Sequence, residues 1–405
     1  VHLLNELLDA ILPANRFYAA KLGGLRRVES IEDFKSRAPF TTKDELVADH
    51  EAHPPYGSGL TRPQERYTRF HQTSGTKGRS LVWLDDPEGW EWVLWNWRKV
   101  WEAAGVAAGD SAFFPFSFGP FLGFWGGFEA AAAMGVRVIP GGGLSSENRL
   151  RLIERHRPHV LCCTPTYALR LAEVGARIGL EAAALGVALI VVCGEPGGSI
   201  PAVRDRIARA WRARVVDHHG MTEAGPVTFS DPEQPDLLRI IEGSYLAEVI
   251  DPATGEAVEM GTLGELVLTT LGRYGSPLLR YRTGDLVKPV ALPGGDPGEF
   301  ALEGGIIGRA DDMVVVRGVN VFPSAIDAVV RACDGVGEYQ VEVDQRGSLP
   351  EIRLVIETTG AGNAESELAA GLEAAFPMRI PVRRVDSGTL PVFEGKAKRW
   401  KVMRD

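Results

Sequence analysis

The sequence predicts an α/β protein: a large N-terminal domain of parallel αβ layers with a small β subdomain, then a small C-terminal α+β domain. Three patterns predict it. Between Ser111 and Val216 short apolar runs alternate with helical patterns, which implies a parallel sheet buried on both faces. Between Leu237 and Val290 the texture becomes antiparallel, with turn residues at Asp251-Pro252 and Thr254-Gly255. From Met313 onward the order reads β-α-β-β-α-β, long enough to fold as a domain of its own.

The elements follow in order. Leu3, Leu4, Leu7, Leu8 and Ile11 recur at helical spacing, and Pro13 closes the run. Thr41-Thr42-Lys43-Asp44-Glu45-Leu46 has the form of a capped helix start. Pro87 to Ala104 predicts a helix containing Trp90, Trp92, Trp95, Trp97 and Trp101; they form no single stripe, and packing is their expected role. Strands are expected at Ser111–Phe116, Val136–Ile139, His159–Cys163, Leu189–Cys193 and Arg214–Val216, with helices at Gly123–Met134, Ser146–His156, Tyr167–Ile178 and Pro201–Trp211. Antiparallel strands are expected at Ala247–Ile250, Gly264–Thr270 and Ser276–Tyr281, and a loop over Leu292–Gly305. The last domain has expected strands Met313–Arg317, Glu338–Val343, Glu351–Glu357 and Val382–Val385, and helices Ser324–Ala332 and Ala364–Phe376.

With 405 residues the chain can hold two or three domains and a substantial core. Its net charge of −9 argues against binding nucleic acid through a broadly basic surface. The cysteines Cys162, Cys163, Cys193 and Cys333 lack metal-type spacing and sit among apolar residues, so buried thiols in a reducing compartment are expected. No apolar run is long enough to span a bilayer and no secretory pattern is visible. A cytoplasmic enzyme with neither membrane nor nucleic-acid partner is the expectation, with a short piece expected to precede Val1.

The most informative stretch is His71–Ser80, HQTSGTKGRS. Thr73, Ser74 and Thr76 supply hydroxyls, Gly75 and Gly78 free the backbone to turn its N–H groups toward an anion, and Lys77 adds charge. The order is not that of a Walker A loop. Alone, it fits a solvated hairpin turn equally well. Four more segments accompany it: Cys193-Gly194-Glu195-Pro196, Asp217-His218-His219-Gly220-Met221-Thr222-Glu223, Tyr281-Arg282-Thr283-Gly284-Asp285-Leu286 and Gly308-Arg309-Ala310-Asp311-Asp312. Ligands of parallel sheets collect at the carboxyl ends of strands, which puts Phe116–Gly119, Cys193–Pro196 and His218–Gly220 on the rim. In isolation each residue has a plainer reading: Glu223 a helix-start carboxylate, Asp285 a turn residue capping its own backbone, His218 a structural hydrogen bonder, and Asp311 a linker carboxylate.

In order and spacing these segments resemble the motifs of the adenylate-forming ligases, in particular the phenylacetate–CoA ligases and their relatives. Ala38-Pro39-Phe40-Thr41-Thr42-Lys43, Val316-Arg317-Gly318-Val319-Asn320-Val321-Phe322-Pro323 and Glu394-Gly395-Lys396-Ala397-Lys398-Arg399 extend the resemblance over nearly the whole chain. It implies a two-step reaction: a carboxylic acid and ATP give an acyl-adenylate and pyrophosphate, and coenzyme A then displaces AMP. It implies that Thr73, Ser74, Gly75, Thr76, Lys77 and Gly78 hold phosphates, that Glu223 holds Mg²⁺, and that Thr222 donates to the α-phosphate. Gly194, Glu195, Pro196, Asp217, His218, Gly220 and Met221 would line the nucleotide. His219 stands where the family has an aromatic ring on adenine. Asp285 would take the ribose hydroxyls, and Arg309 ribose or phosphate. Lys396, rather than the neighbouring Lys398, matches the catalytic lysine. Asp311 matches the hinge, giving an N-terminal domain of residues 1–308, a hinge at 309–312 and a mobile lid at 313–405. Arg317 and Gly318 would lie toward CoA.

Phe116, Phe118, Gly119, Trp125, Pro165 and Tyr167 would line an acyl pocket, whose aromatic character suits an aryl or arylalkyl acid. Thr228–Gly305 contains no cysteine, so the structural zinc of many relatives is not expected. An enzyme loading a carrier protein or an amine, and a nucleotide-binding protein without catalysis, are the alternatives. A homodimer is compatible with the sequence, and no residue pattern specifies the oligomeric state.

Overall fold

The structure, a computed structural model, describes residues 1–73, 80–231, 233–292, 298–316, 319–346, 350–359, 363–393 and 397–403. The chain divides into two compact units, Val1–Gly143 with His218–Glu303, and Leu144–Asp217 with Gly304–Asp405.

In the first unit, the helix His2–Ile11 turns Leu4, Leu7, Leu8 and Ile11 into a core shared with Phe34, Leu271 and Leu279. The helix Lys43–Ala52 opens with a complete capping box: Thr42 accepts from the Glu45 backbone, and the Glu45 side chain accepts from the Thr42 backbone. Strands Arg69–Gln72 and Val82–Asp85 pair antiparallel, with His71 opposite Trp83. The tryptophan-rich helix Pro87–Ala103 is capped by Asp86, which accepts from Gly89 N, and carries proline in its first turn. Trp90, Trp97 and Trp101 are buried and serve packing, whereas Trp95 faces solvent. Gly126 lets the next helix, Leu122–Ala133, close on Trp97: a Cβ there would sit 2.7 Å from the indole. That helix joins two parallel strands, Ser111–Phe114 and Arg137–Pro140.

The rest of the first unit is antiparallel. Tyr245–Ile250, Gly264–Thr270 and Tyr281–Val287 lie side by side. Thr228–Ser230, Leu237–Ile240, Phe300–Glu303 and Pro289–Ala291 form a second sheet in that order. Two expectations are corrected. The strand expected at Ser276–Tyr281 begins where it was expected to end, because Arg280 adopts φ +43, a left-handed conformation that a ladder does not accommodate. Its guanidinium is instead buried against Glu248, at 2.9 Å to each carboxylate oxygen, and the carbonyl of Ala38. The expected loop Leu292–Gly305 contains the strand Phe300–Glu303, because Ala301 and Leu302 are buried and pair with Leu238 and Arg239.

In the second unit, Val160–Cys163 and Leu189–Cys193 pair in parallel and are buried throughout, with Arg214–His218 beside the latter. Helices Ser146–His156, Pro165–Arg177 and Pro201–Trp211 connect them. Thr164 and Ser145 cap two of these helices through their side chains. Cys162, Cys163, Cys193 and Cys333 are buried and unbridged. A hydrogen bond with Cys193, then burial, holds the Cys162 thiol well above the ordinary range, and burial does the same to Cys163.

The C-terminal part of this unit orders its strands Val382–Val385, Glu351–Thr358, Val336–Asp344 and Trp400–Met403. Helices Pro323–Ala332 and Ala364–Ala375 bury Ile326, Val330, Leu368 and Leu372 on this sheet with Val341, Leu354 and Ile356. Two strands escape the sequence reading. Trp400–Met403 exists through its parallel pairing with Val341–Asp344, far away in sequence, and Val319–Val321 forms a hairpin with Val314–Val316. Among the described residues no helix is long and apolar enough to cross a membrane.

Candidate active site

The first unit brings together two of the motif segments. His219–Glu223 runs into a tight antiparallel hairpin in which Gly220–Met221 pairs with Gly225–Pro226. Gly220 is required: a Cβ there would lie 2.8 Å from the Gly225 carbonyl oxygen and 3.1 Å from Pro226 Cα. Glu223 therefore sits at a hairpin tip rather than at a helix start. Its buried carboxylate accepts hydrogen bonds through Oε1 from Lys43 Nζ at 3.2 Å and from the Tyr281 hydroxyl at 3.4 Å. At the other end of the segment, His219 Nε2 donates to Asp285 Oδ2 at 2.9 Å. Asp285 belongs to the strand Tyr281–Val287, not to a turn. The two segments are thus tied at both ends, Tyr281 to Glu223 and Asp285 to His219.

His218 points away from solvent. Its ring lies 4.3 Å from that of Trp97, centroid to centroid, and its Nδ1 donates to the Thr228 carbonyl at 2.7 Å. Burial, with a smaller contribution from His219, pushes its pKa down to about 3, so it stays neutral at physiological pH. This is the structural role its plainer reading assigned. Thr222 and Met221 are half-buried beside Glu223. Thr73 closes the Arg69–Asp85 hairpin, its Oγ1 accepting from Leu81 N at 2.9 Å. Ser74, Gly75, Thr76, Lys77 and Gly78 lie outside the described residues, as do Arg317, Gly318 and Lys396.

The aromatic residues of the first unit pack on one another. Phe116 stacks on Phe124 at 3.9 Å, and Phe118 meets Trp125 at 4.8 Å and Phe128 at 5.0 Å. Trp125 Nε1 donates to the Gly119 carbonyl at 2.9 Å, fixing the turn before the helix.

The second unit holds the other motif residues. Gly194, at φ +90, leads out of the strand Leu189–Cys193. Glu195 accepts from Thr166 N at 2.8 Å through Oε1 and from Ala397 N at 3.3 Å through Oε2, and Pro196 follows it. Asp217 accepts from the Ser199 amide at 2.8 Å and hydroxyl at 2.7 Å. Pro165 starts the helix that carries Tyr167, whose hydroxyl meets Ser146 Oγ at 2.9 Å and Arg149 Nη1 at 2.5 Å. Arg309 Nε donates to Asp311 Oδ1 at 2.9 Å.

Sequence reasoning missed three residues of the first unit that hold the Thr222–Pro226 hairpin. Lys43 was visible only inside a phrase and as part of a helix start. Arg273 donates from Nη1 to the carbonyls of Thr222 at 3.2 Å and Glu223 at 2.8 Å. The Tyr245 hydroxyl lies 2.8 Å from the carbonyls of both Ala224 and Pro226. No local pattern marks such contacts; they exist only once the sheets have formed.

Two family models match the chain, "AMP-binding enzyme" over residues 93–272 and "AMP-binding enzyme C-terminal domain" over residues 318–404. The phenylacetate–coenzyme A ligase of Pseudomonas putida is 32% identical over 382 residues, covering 91% of this chain and 84% of that protein. The enzyme of the same name from Thermus thermophilus is 34% identical over 342 residues, covering 83% and 74%. The crystal structure of 2-hydroxyisobutyryl-CoA ligase in the postadenylation state, in complex with 2-HIB-AMP, matches with a TM-score of 0.93 at 26% identity, covering 100% of this chain and 88% of that one.

Proposed function

Because this chain belongs to the AMP-binding, adenylate-forming enzymes, among the relatives of the phenylacetate–CoA ligases, and is of the acid–CoA ligase type, we propose that it converts an aryl or arylalkyl carboxylic acid to its CoA thioester. In the first step a carboxylate oxygen attacks the α-phosphorus of ATP, the bond to pyrophosphate breaks, and an acyl-adenylate forms. In the second the CoA sulfur attacks the acyl carbon, AMP leaves, and the thiol proton passes to solvent. The attacking carboxylate is already ionised at neutral pH, so the first step needs alignment and charge neutralisation rather than a base.

The observation that carries this reading is the double tie between the segments His219–Glu223 and Tyr281–Asp285. It brings two carboxylates, a hydroxyl (Thr222) and an imidazole onto neighbouring backbone, groups that would suit ribose and, through magnesium, phosphate. Magnesium enters with ATP as part of the substrate. Among the described residues no cluster of three or more His, Cys, Asp or Glu side chains could hold a metal ion. A lone buried carboxylate such as Glu223 suits an ion whose other ligands are phosphate oxygens and water. Lys43, now paired with Glu223, would contribute positive charge at the same place. Lys396 would bridge the α-phosphate and the acid, the Thr73–Gly78 segment would hold the departing phosphates, and Arg309 would reach ribose or phosphate.

The packed rings of Phe116, Phe118 and Trp125 support an aromatic acid. Residues 1–308 would be the N-terminal domain, 309–312 with Asp311 the hinge, and 313–405 the lid, with Arg317 and Gly318 toward CoA. The test is ATP–pyrophosphate exchange over a panel of aryl, arylalkyl and short aliphatic acids, followed by thioester detection with and without CoA. Exchange selective for an aromatic acid and CoA-dependent thioester formation are expected. Selectivity for short aliphatic acids would overturn the substrate class, and exchange without thioester would overturn CoA as acceptor.

A further inference from the structure

One buried charge pair in the first unit has no part in the chemistry above, yet it reaches the site. Arg273 and Asp85 have fully buried side chains. Arg273 Nε and Nη2 donate to the two oxygens of Asp85 at 2.6 and 2.7 Å. The third arm of the fork, Nη1, holds the carbonyls of Thr222 and Glu223. Asp85 ends the strand Val82–Asp85, the second strand of the hairpin that carries Thr73. On the first strand, His71 Nδ1 lies 3.6 Å from Asp85 Oδ2, and its ring stacks on Trp90 at 5.2 Å. Burial alone would raise the Asp85 carboxyl; Arg273 and His71 together outweigh it and hold the group below the usual range.

A buried pair of this kind contributes little net stability compared with apolar residues of the same volume. What it does provide is geometry, because a guanidinium is a rigid fork with fixed donor directions. From this we infer that Arg273, oriented by Asp85, is a positioning residue for adenylation. It fixes the Thr222–Glu223 backbone against the hairpin that carries Thr73, so that the groups on the α-phosphate and those on the departing phosphates keep one spacing. The inference rests on the ligase reading given above.

The test uses the whole enzyme and three proteins: wild type, Arg273→Lys, and the double variant Asp85→Leu/Arg273→Met. Lysine keeps a cation for Asp85 but cannot hold two carbonyls from the same plane. The double variant removes both charges together, leaving neither buried alone. Both are expected to fold with urea midpoints near wild type, and both to lose kcat/KM in ATP–pyrophosphate exchange, by about 100-fold in the double variant. Thioester formation from supplied acyl-adenylate should fall by only a few fold. A scaffold role alone would depress both half-reactions together or neither. Exchange at wild-type rates in either folded variant, or equal losses in both half-reactions, overturns the inference and leaves the ligase reading standing. Absence of exchange by the wild type with every acid overturns the ligase reading, and this inference with it.

Discussion

His219 Nε2 donates to Asp285 Oδ2 across 2.9 Å, and the other ring nitrogen of His219 is buried with no hydrogen-bond partner among the described residues. The carboxylate expected to receive ribose hydroxyls is therefore oriented by the ring expected to lie on adenine. Asp285→Ala removes both functions. It should raise KM for ATP by about 10- to 100-fold, in line with the ~1.5–3 kcal/mol of hydrogen bonds to a charged group, with a smaller change in kcat. His219→Phe keeps a flat ring and should cost less than Asp285→Ala. ATP-dependent pyrophosphate exchange measures both; unchanged KM in Asp285→Ala would remove Asp285 from the site.

Glu223 has a different task. Glu223→Gln keeps the shape and its hydrogen bond to Tyr281 but loses the charge. Adenylation should slow by about 100- to 1,000-fold, the scale on which one preorganised electrostatic contact is lost, and the magnesium concentration for half-maximal exchange should rise. Lys43→Met should leave the magnesium requirement near wild type while lowering kcat. A magnesium titration of the three proteins distinguishes the roles.

Lys396 lies outside the described residues, and the prediction for it comes from its motif. Lys396→Ala should add ~3–4 kcal/mol to the adenylation barrier and spare thioester formation from supplied acyl-adenylate. Comparable losses in both half-reactions would refute the assignment.

His218 gives a pH prediction. Its folded pKa, about 3, lies below the unfolded value. Between the two the unfolded chain binds the extra proton and the native state does not. Its contribution to stability is therefore complete above pH ~6.5 and declines as pH falls, by about 1.4 kcal/mol per unit. Asparagine at 218 can donate to the Thr228 carbonyl without titrating. Urea midpoints from pH 8 to pH 5 should fall faster for wild type than for His218→Asn, and parallel profiles would contradict the burial argument.

The parallel region was legible because Val160–Cys163 and Leu189–Cys193 are buried throughout, and such strands read as continuous apolar runs. The Asp285 segment was harder. Thr283-Gly284-Asp285 has turn chemistry, and Gly284 does adopt φ +75. The glycine instead sits inside a strand whose pairing slips between Glu265 and Val267, a bulge rather than a reversal. Arg273 and Lys43 were illegible for another reason. Their partners lie 188 and 180 residues away, so nothing in their neighbourhood distinguishes them from surface cations.

The chain's own sulfur bears on the proposed thioester step. Cys162, Cys163, Cys193 and Cys333 are all shielded from water, and burial helps hold the thiols of Cys162, Cys163 and Cys333 above the ordinary range. An activated acyl group therefore does not reach these four buried sulfurs, and self-acylation should be negligible. At the bench, a disulfide dye added to the folded enzyme should develop colour almost entirely from free coenzyme A, so consumption of the cosubstrate can be followed by eye.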